Sequence, residues 1–451
     1  MFEFPIPATV RKFAAQFSHS GHALYIVGGA VRDYYLGREN TDFDFATDAM
    51  PQEVMALFPT VIPTGIKHGT VTVLFKGQHF EVTTFREDGE YLDMRRPDKV
   101  RFVRSLSEDL KRRDFTINAL AVNAFTAELT DLHQGLEDLE HKLIRAIGKP
   151  IERFQEDALR IMRACRFSCQ LGFSIDSETA VAMKALSANL SMVSGERIRD
   201  EFFKILASPT PSVGILAMDN CGALDVALPE LSRCKGFEQK GMHRFDVYHH
   251  SLAACDAAPR EKPLVRFAAL LHDIGKVEAR VELENGQYSF HQHEFISERL
   301  AKSILSRFKC SNDDRDTVLN LIRNHMFHYT EDWSDGAVRR FINRVGIHAV
   351  PDLFTLRLAD QIGISGANDP RALLKLSGRI EKVLREGCAL TIRDLAIDGN
   401  ELEQIGIPKG PRMGVVLQAL LEAVLDDPSQ NNREQLASIA LGFYKNRVDI
   451  N

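Results

Sequence analysis

The stretch Gly28-Gly29-Ala30-Val31-Arg32-Asp33 decides the fold of the first part of the chain. The apolar residues 24–27 before it predict a short buried strand, and residues 30–36 predict a helix that ends at Gly37. The two glycines between them predict a turn at which backbone can approach a phosphate closely. Amides at the start of the helix suit triphosphate oxygens, and Arg32 adds positive charge.

A pair of acids follows in Asp42-Phe43-Asp44. Residues two apart on a strand share a face, so both carboxylates are expected together while Phe43 and Phe45 face a core. Such oxygen ligands suit Mg²⁺, and two ions about 3.5–4 Å apart serve phosphoryl transfer. An Asp-x-Asp pair alone is more often a solvated strand end, so the prediction depends on its neighbours. Residues 80–85 alternate like a strand and add Glu81 as a third carboxylate.

Further motifs carry a family resemblance. They occur in the order Arg112-Arg113-Asp114-Phe115-Thr116-Ile117-Asn118-Ala119, Glu156-Asp157-Ala158-Leu159-Arg160, Glu196-Arg197-Ile198 and Asp398-Gly399-Asn400-Glu401-Leu402. Together with the first two stretches, the chain resembles the class II tRNA nucleotidyltransferases, which are the CCA-adding enzymes and their relatives the bacterial poly(A) polymerases. The resemblance covers nearly the whole chain, and these weak motifs, in the right order, are together more specific than any one alone.

The resemblance implies an α+β fold. A nucleotidyltransferase head with a small mixed β-sheet is expected at residues 1–140, and an all-α neck with nucleotide-selecting and RNA-binding residues at 141–209. The remainder, 210–451, is expected to be an all-α body and tail containing an HD-type helical domain with its core at about 245–365. Apolar residues at three- and four-residue steps independently predict helices at 154–167, 194–206, 264–271, 297–308, 314–324 and 414–425.

The neck is predicted to select the nucleotide. Asp157, Arg160, Arg163 and Arg166 step by three and turn through about half a circle on one ideal helix, so the first and last pairs should have different roles. In the family, residues matching Asp157 and Arg160 pair with the base edge of cytosine or adenine. Those matching Arg163 and Arg166 lie nearer the phosphates and the surrounding pocket. The alternative is an Arg-rich exposed face above an apolar stripe.

The predicted head site is therefore as follows. Asp42, Asp44 and Glu81 are the expected catalytic residues, and Asp42 and Asp44 are the expected Mg²⁺ ligands. The resemblance implies ATP, CTP and the 3′ end of tRNA as partners. The expected nucleotide-binding residues are Gly28, Gly29, Arg32, Arg113, Asp114, Asn118, Asp157, Arg160, Arg163 and Arg166.

Composition sets the remaining limits. The 451-residue chain carries a net charge of −6, which argues weakly against a nucleic-acid partner. A protein can nevertheless focus positive charge locally, and two basic runs do so in sequence, one within residues 95–104 and one within 145–166. No apolar run is long enough for a membrane span, no signal-peptide pattern is found, and the seven cysteines contain no Cys-x-x-Cys pair. We therefore expect a cytoplasmic protein with reduced thiols.

Two features bear on which nucleotides are added. Family members that add only CC are shortened between the carboxylates and the Arg-Arg-Asp motif, whereas residues 86–102 here have full length. Bacterial poly(A) polymerases tend to carry a basic C-terminal extension, whereas this chain ends Arg447-Val448-Asp449-Ile450-Asn451. Complete CCA addition is the favoured prediction, and A-addition or poly(A) synthesis is the alternative.

A second constellation lies in the predicted body. An adjacent His-Asp pair on a helix, with further donors from other helices, resembles HD-domain metal phosphohydrolases. Imidazole and carboxylate together suit a divalent transition metal that supports hydrolysis. The alternative is an inherited fold with an inactive site. The expected ligands are His250, His272, Asp273, His293, His325 and Asp360.

The sequence thus predicts a template-independent enzyme that adds CMP, CMP and AMP to tRNA and releases pyrophosphate. A possible second activity is phosphate or phosphodiester hydrolysis at the HD site. The alternative of a different class is an HD phosphohydrolase whose head only senses nucleotides. Such a sensor needs neither catalytic carboxylate, so the pair Asp42 and Asp44 favours the enzyme.

Overall fold

The structure is a computed structural model that describes residues 4–39, 42–88, 100–239, 244–284 and 286–448. The chain divides into two compact units. The first comprises Met1–Ser232 with Arg307–Lys309, and the second comprises Arg233–Ser306 with Cys310–Asn451. The finer division at residues 140 and 209 stays a prediction.

The first unit contains a mixed sheet. Its strands and two small strand pairs are β1 Leu24–Val27, β2 Asp44–Thr47, β3 Val61–Gly65, β4 Thr70–Phe75, β5 Gln78–Thr84, β6 Arg86–Asp88, β7 Val100–Phe102, β8 Leu120–Asn123, β9 Leu129–Asp131, β10 Leu143–Ile144 and β11 Ser174–Ile175. Within the described residues, seven strands form one sheet in the order β3-β4-β5-β2-β1-β8-β9. The pairing of β2 with β5 is parallel, whereas β1 pairs with both β2 and β8 in antiparallel fashion. The predicted mixed sheet is confirmed.

The sheet register brings the sequence motifs together. The last residue of β1, Val27, pairs with Asp44, the first residue of β2, so the Gly28 turn begins beside that acid. Across the parallel pair, Asp44 is in register with Glu81 of β5. Residues in register on neighbouring strands share a face, so the sheet itself places the two carboxylates side by side.

An aromatic cluster holds one face of the sheet. Phe45 of β2 and Phe80 of β5 are buried, and their rings lie 5.3 and 4.7 Å from that of Phe13. Phe13 belongs to a helix that precedes β1, and its ring also stacks on Phe58 at 4.9 Å. Because acidic and aromatic residues alternate at residues 42–45, the sheet has one packed aromatic face and one acidic face here.

Helices make up most of the rest of the first unit. They are α1 Ala8–His19, α2 Gly29–Tyr35, α3 Pro51–Leu57, α4 Leu106–Lys111, α5 Gly135–Glu140, α6 Pro150–Glu156, α7 Leu159–Phe167, α8 Ser177–Leu186, α9 Gly195–Leu206, α10 Pro211–Asn220, α11 Ala223–Ala227 and α12 Pro229–Ser232. The helix predicted from residue 194 to 206 agrees with α9, for which Ser194 is the preceding cap position.

Among the residues of the second unit that the structure describes, the regular structure is helical apart from one short hairpin. Its helices are α13 Val247–Ala257, α14 Pro263–Leu271, α15 Lys276–Ala279, α16 His293–Arg307, α17 Asn312–Asn324, α18 Asp335–Val345, α19 Val350–Ser365, α20 Arg371–Arg385, α21 Gly399–Gln404, α22 Pro411–Asp426 and α23 Arg433–Val448. The hairpin joins β12 Val281–Glu282 to β13 Tyr288–Ser289. The predicted α+β class, with a helical remainder after the head, is confirmed. A search of the described residues finds no helix with the length and apolar character required for crossing a bilayer.

Candidate functional site

The first unit contains a cleft of about 900 Å³, which we call the charged cleft. All ten residues expected to bind nucleotide line it, together with Asp44 and Glu81. Asp42 does not line it and is exposed beside Asp44. Motifs separated by more than one hundred residues therefore share one site.

The three acids lie near one another without converging. Partial desolvation, then the negative charges of Asp42 and Glu81, raises the pKa of Asp44, and the Arg113 guanidinium opposes this rise. In the part of the chain that the structure describes, groups of three donor atoms within 4.8 Å occur only in the second unit. The chemistry fits Mg²⁺ because the donors are oxygens with excess negative charge, but the protein alone does not gather them into a compact site.

The expected shared strand for the two aspartates is wrong by two residues. Strand β2 begins at Asp44, and Asp42 precedes it. The reason is that β1 ends at Val27, the partner of Asp44, and the chain then turns at Gly28. Asp42 consequently lies outside the backbone pairing of β1 with β2.

The turn between β1 and α2 requires glycine because of its backbone conformation. Gly28 has a φ of +72°, in the left-handed region that L-residues with a side chain rarely adopt. Arg113 Nη1 lies beside the turn, at 3.5 Å from the position that a Cβ of residue 28 would take. The predicted strand, turn and helix are all present, and the turn opens into the charged cleft.

Asp114 is the centre of a buried hydrogen-bond network. Its Oδ2 accepts from Arg163 Nε at 2.7 Å and its Oδ1 accepts from Asn118 Nδ2 at 3.1 Å. Asn118 in turn accepts from Arg32 Nη1 at 2.7 Å. Burial alone would raise the pKa of Asp114, but Arg163 and Asn118 outweigh it and lower the pKa to about 2. Asp114 is thus a permanent negative charge that holds cleft side chains in place.

The predicted continuous helix from residue 154 to 167 is wrong. Helix α6 ends at Glu156, and α7 begins at Leu159. Asp157 lies between them with extended backbone (φ −148°, ψ 102°), and its Oδ1 accepts from the Leu159 amide at 3.1 Å. Asp favours this role before a helix because its carboxylate satisfies an otherwise unpaired amide. The half-circle argument therefore does not hold, because the three arginines that lie on α7 span only about a third of a circle.

The two residues expected to read the base have different partners. Asp157 Oδ2 accepts from Arg197 Nη2 at 2.7 Å, so α9 holds it from one side. Arg160 donates to Glu156 Oε2 at 2.7 Å and to the Arg112 carbonyl at 2.9 Å. Each is held by its own neighbours at the edge of the charged cleft, which fixes the position of both groups.

The last two arginines of α7 share a buried acid. Glu201 of α9 is buried, with Oε2 lying 2.7 Å from Arg166 Nε and Oε1 lying 3.8 Å from Arg163 Nη1. The guanidinium of Arg166 also lies over the Phe167 ring at 4.1 Å. These contacts set Arg163 and Arg166 apart from Arg160. The different roles of the two pairs, and the contact of Arg163 and Arg166 with phosphates, stay predictions.

The basic run at residues 145–166 is largely neutralised by the protein itself. Arg145 pairs with Asp138 and Asp176, Lys149 pairs with Glu152, and Arg153 pairs with Glu156. The run is therefore a weaker source of positive potential than its sequence indicates. The second run, at residues 95–104, lies partly outside the described residues, because residues 89–99 are not described. Asp449, Ile450 and Asn451 of the C-terminal sequence also lie outside the described residues.

Three supporting residues were missed by sequence reasoning. Asp109 is fully buried, and its Oδ1 accepts from Arg112 Nε at 2.9 Å while its Oδ2 accepts from Arg113 Nη2 at 3.2 Å. Its spacing of three and four residues from those arginines was a usable signal. Arg197 stands in a quoted motif but was given no role, and Glu201 offers no local signal because its partners lie on another helix.

The second unit gathers six predicted ligands into one buried group, which we call the histidine–aspartate cluster: His250, His272, Asp273, His293, His325 and Asp360. They come from α13, from the end of α14, from the start of α16, from the end of α17 and from α19. The His272-Asp273 pair was expected on a helix, but α14 ends at Leu271 and the pair follows it. Gly363 of α19 permits this convergence, since a Cβ there would lie 3.0 Å from His250 Nδ1.

Asp273 joins two groups of donors. Its Oδ2 lies 3.3 Å from the Nε2 atoms of both His250 and His272. Its Oδ1 lies 3.0 Å from His293 Nε2 and 3.7 Å from His325 Nε2. Asp360 Oδ1 lies 3.2 Å from His250 Nε2, beside the first group. The donor atoms of His250, His272 and Asp273 lie within 4.8 Å of one another, as do those of Asp273, His293 and His325.

Hydrogen bonds orient three of the histidines. The Nδ1 atoms of His272, His293 and His325 donate to the carbonyls of Ala269, Phe290 and Ile322 at 2.7, 2.9 and 2.6 Å. Each of these Nδ1 atoms therefore carries a proton, and Nε2 is the nitrogen directed at the cluster. This is the orientation that a metal ligand needs, so the donor set fits a divalent transition metal.

The electrostatics of the cluster are strongly coupled. Burial alone would lower the pKa of His272, but Asp273 and Asp360 outweigh it and raise the pKa to about 10. The pKa of Asp273 lies well below its ordinary value because nearby His272 and Lys276 outweigh the effect of burial. A metal that binds His272 displaces a proton, so its affinity must fall as pH falls. The cluster opens into a cavity of about 490 Å³.

Comparisons with known proteins agree with this geometry. A family model of the poly(A) polymerase head domain matches residues 24–145. A model described as the probable RNA and SrmB-binding site of polymerase A matches 172–235, and an HD-domain model matches 241–361. Fold and cleft together define a nucleotidyltransferase with an appended HD domain.

Full-length relatives narrow this class. The chain is 36% identical to a CCA-adding enzyme of Anoxybacillus flavithermus, with 93% of each chain covered, and 37% identical to one of Lactobacillus johnsonii, with 92% of each covered. A crystal structure of the Bacillus stearothermophilus CCA-adding enzyme in complex with CTP superposes with a TM-score of 0.73 at 29% identity, covering 99% of both chains. The chain belongs to the CCA-adding enzyme family.

Proposed function

We propose that the charged cleft adds CMP, CMP and AMP in turn to the 3′ end of tRNA, using CTP and ATP. In each step the 3′ hydroxyl oxygen bonds to the α-phosphorus, the bond to the β-phosphate oxygen breaks, and pyrophosphate and a proton leave. The observation that carries this proposal is the cleft itself, which brings the glycine turn, the acidic strand ends and α7 together in one member of the CCA-adding family.

The acids supply the reaction centre in this proposal. Asp42 and Asp44, supported by Glu81, would hold Mg²⁺, which supplies activation of the hydroxyl and charge neutralisation of the leaving pyrophosphate. The raised pKa of Asp44 supports this role because it reports excess negative charge at the place where a cation is needed. A nucleotide sensor would not need these acids.

The glycine turn and the arginines bind the nucleotide in this proposal. Gly28 and Gly29 let the backbone approach the triphosphate, and Arg113 lies next to the turn. Arg32, Asp114 and Asn118 hold each other and the wall of the cleft.

Asp157 and Arg160 form the protein template. Arg160 supplies donors, and Asp157 accepts from the exocyclic amine that cytosine and adenine share. Arg197 fixes Asp157, and Glu156 fixes Arg160, so the pair keeps its position while the nucleotide changes. Arg163 and Arg166, held by Asp114 and Glu201, are proposed to contact the phosphates or the surrounding pocket.

One experiment tests this function directly. Purified protein is incubated with tRNAs that end in the discriminator base, in C and in CC, with each nucleotide alone. We expect CMP addition to the first two, AMP addition only to the third, and no growth beyond A. Repeated AMP addition to any RNA would instead support poly(A) synthesis, and AMP addition without CMP addition would support an A-adding enzyme.

We propose a second, separate function for the histidine–aspartate cluster, namely metal-dependent hydrolysis of phosphates or phosphodiesters, such as damaged 3′ ends. The inward Nε2 atoms of three oriented histidines favour this function. A divalent transition metal held there would supply the Lewis acidity for hydrolysis. Protein loaded with Ni²⁺, Mn²⁺ or Co²⁺ should release phosphate from 2′-AMP, pyrophosphate or dNTPs, or open 2′,3′-cyclic ends. Failure on all of these substrates would indicate an inactive site.

The cellular setting follows from the substrates. tRNA, ATP and CTP meet in the cytoplasm, and we propose this compartment for the protein. The domain division at residues 140 and 209, with nucleotide selection in the neck, is part of the same proposal.

A further inference from the structure

The cavity beside the histidine–aspartate cluster contains a cation that the metal site does not use. Arg357 lines this cavity of about 490 Å³ together with Asp360 and Ile364. These three residues lie on α19 at spacings of three and four, which places them on one face of the helix. One helix therefore presents a metal ligand, a guanidinium and an apolar side chain to the same space.

Arg357 approaches the cluster from its outer side. Its Nη1 donates to Asp360 Oδ2 at 2.8 Å. The other oxygen of that carboxylate, Oδ1, lies 3.2 Å from His250 Nε2 and 3.4 Å from His272 Nε2. Arg357 thus stands next to the ligand cluster without taking the oxygen that faces the histidines.

The second cation of the cavity, Lys276, is engaged in a different way. Its Nζ donates to Asp273 Oδ2 at 2.6 Å and to Gln239 Oε1 at 2.7 Å, and the side chain is buried. The Arg357 side chain is 25% exposed, and its bond to Asp360 is the one hydrogen bond that the described residues give it. Because a guanidinium has five N–H donors, most of its capacity remains for a ligand in the cavity.

We propose that Arg357 binds the terminal phosphate of a phosphate monoester, with the phosphate held between this guanidinium and the metal cluster. A group held from two sides needs several unesterified oxygens. A monoester has three and an internal phosphodiester has two, so the site should favour monoesters. The apolar side chains of Phe290, Met326 and Ile364 line the same cavity and suit the base or sugar of a single nucleotide.

This inference rests on the proposed phosphohydrolase function and names its substrate class. In the reaction a water oxygen bonds to phosphorus, the ester P–O bond breaks, and the alcohol leaves with a proton. Arg357 takes no part in those bond changes. It orients the phosphate through charge-assisted hydrogen bonds, which are the strongest class that a side chain offers to phosphate.

The test measures binding of inorganic phosphate to the full chain saturated with Mn²⁺, by isothermal titration calorimetry. Phosphate binding that is lost in Asp273→Asn takes place in this cavity and not in the charged cleft. For this part of the phosphate binding, Arg357→Gln should weaken the affinity about 10- to 100-fold, and Arg357→Lys should restore part of the affinity. Arg344→Gln, a change at an exposed arginine that does not line the cavity, should behave like wild type.

Titration of Mn²⁺ into the same proteins distinguishes phosphate binding from ligand positioning. Arg357→Gln should keep its Mn²⁺ affinity within about threefold of wild type, whereas loss of a residue that merely orients a ligand costs about 10- to 100-fold. A parallel loss of metal and phosphate affinity would make Arg357 a positioning residue for Asp360 and overturn the proposal. Unchanged phosphate affinity in Arg357→Gln would overturn it too.

Hydrolysis then tests the substrate class. We expect Arg357→Gln to raise KM for 2′-AMP about tenfold or more and to change KM for 2′,3′-cyclic AMP by less than about threefold. Equal effects on the two substrates would contradict the preference for monoesters. Phosphate binding that depends on Arg357 in a wild type that hydrolyses nothing would support the phosphate site and refute the phosphohydrolase function.

Discussion

The charged cleft and the histidine–aspartate cluster hold their chemical groups in opposite ways. In the cleft, Asp42 and Asp44 are exposed, and together with Glu81 they do not form a compact group of three donors, while arginines such as Arg163 and Arg166 are neutralised by buried acids. In the cluster, six buried donors converge around Asp273, and carbonyl partners orient three of the histidines.

This difference indicates different relations to ligands. A nucleotide transfer site must accept CTP, ATP and a growing RNA end, so its metal ligands gain by remaining incomplete until a triphosphate adds its own oxygens. A site for water and one small ester gains from complete preorganisation. We therefore expect the cleft to bind metal with its nucleotide and the cluster to bind metal alone.

The largest expected effect is at Asp44. Asp44→Asn removes a charge from the proposed Mg²⁺ site without changing the shape of the side chain, so CMP and AMP addition should both fall by at least roughly a thousandfold. Binding of tRNA, measured by filter retention, should stay near wild type, and Glu39→Ala, at an exposed acid of the same unit, should remain active. Substantial AMP addition by Asp44→Asn would mean that the two nucleotides do not share one metal site.

The next effect separates the two regions. Asp273→Asn weakens both donor groups of the cluster at once, so metal-dependent phosphate release should fall by roughly a hundredfold or more while CCA addition keeps its rate. Both activities are measured on one preparation, together with circular dichroism as a check on folding. A parallel loss of CCA addition in a folded variant would show that the two regions are functionally coupled.

Base selection should change by a smaller factor. Asp157→Ala removes the proposed acceptor for the exocyclic amine, and a good bidentate contact to a base contributes about 1–3 kcal/mol to discrimination. UMP and GMP should therefore compete about 5- to 150-fold better against CMP and AMP. Glu152→Ala on the neighbouring α6, an exposed acid paired with Lys149, is the matched control. Selectivity that matches wild type would refute the template role.

The cleft network also predicts a pH dependence of stability. The pKa of Asp114 is about 2 in the folded protein, and its ordinary value is 3.8. The Asp114 carboxylate therefore contributes to the free energy of unfolding above pH 3.8, and this contribution is lost as pH falls through about 2. It amounts to about 2 kcal/mol. In urea, the free energy of unfolding of Asp114→Asn should be lower than that of wild type at pH 6, and this difference should become smaller below pH 4. A difference that does not change with pH would mean that the stability is lost through packing or hydrogen bonding and not through charge.

Periodicity and glycine chemistry predicted the framework well. The strand at residues 24–27, the turn at Gly28 and the helices α9, α14 and α17 follow from local patterns, because each strand or helix has its own run of buried apolar residues. The break at Asp157 was also readable, since Asp before an apolar run is a typical helix start. The helical period on both sides concealed it because Ala158, Ile161 and Cys165 follow Phe154 at the spacing of one continuous helix.

The ion-pair partners of the charged side chains could not be predicted from the sequence. Glu201 is 35 residues from Arg166 and Asp114 is 49 residues from Arg163, and no local pattern tells which carboxylate will be buried against which guanidinium. The same limit explains why the basic run at residues 145–166 suggested more free positive charge than the structure leaves. The convergence of six ligands was predicted from the family resemblance and not from spacing, because they arrive from five helices.

The contrast between the two regions can be tested most directly with Mn²⁺ in crystals of the full chain, located by anomalous scattering with and without CTP. The account predicts strong peaks beside Asp273 in both crystals and a peak between Asp42 and Asp44 that becomes strong only with CTP. An equally strong peak at Asp42 and Asp44 without nucleotide, or no peak beside Asp273, would contradict it.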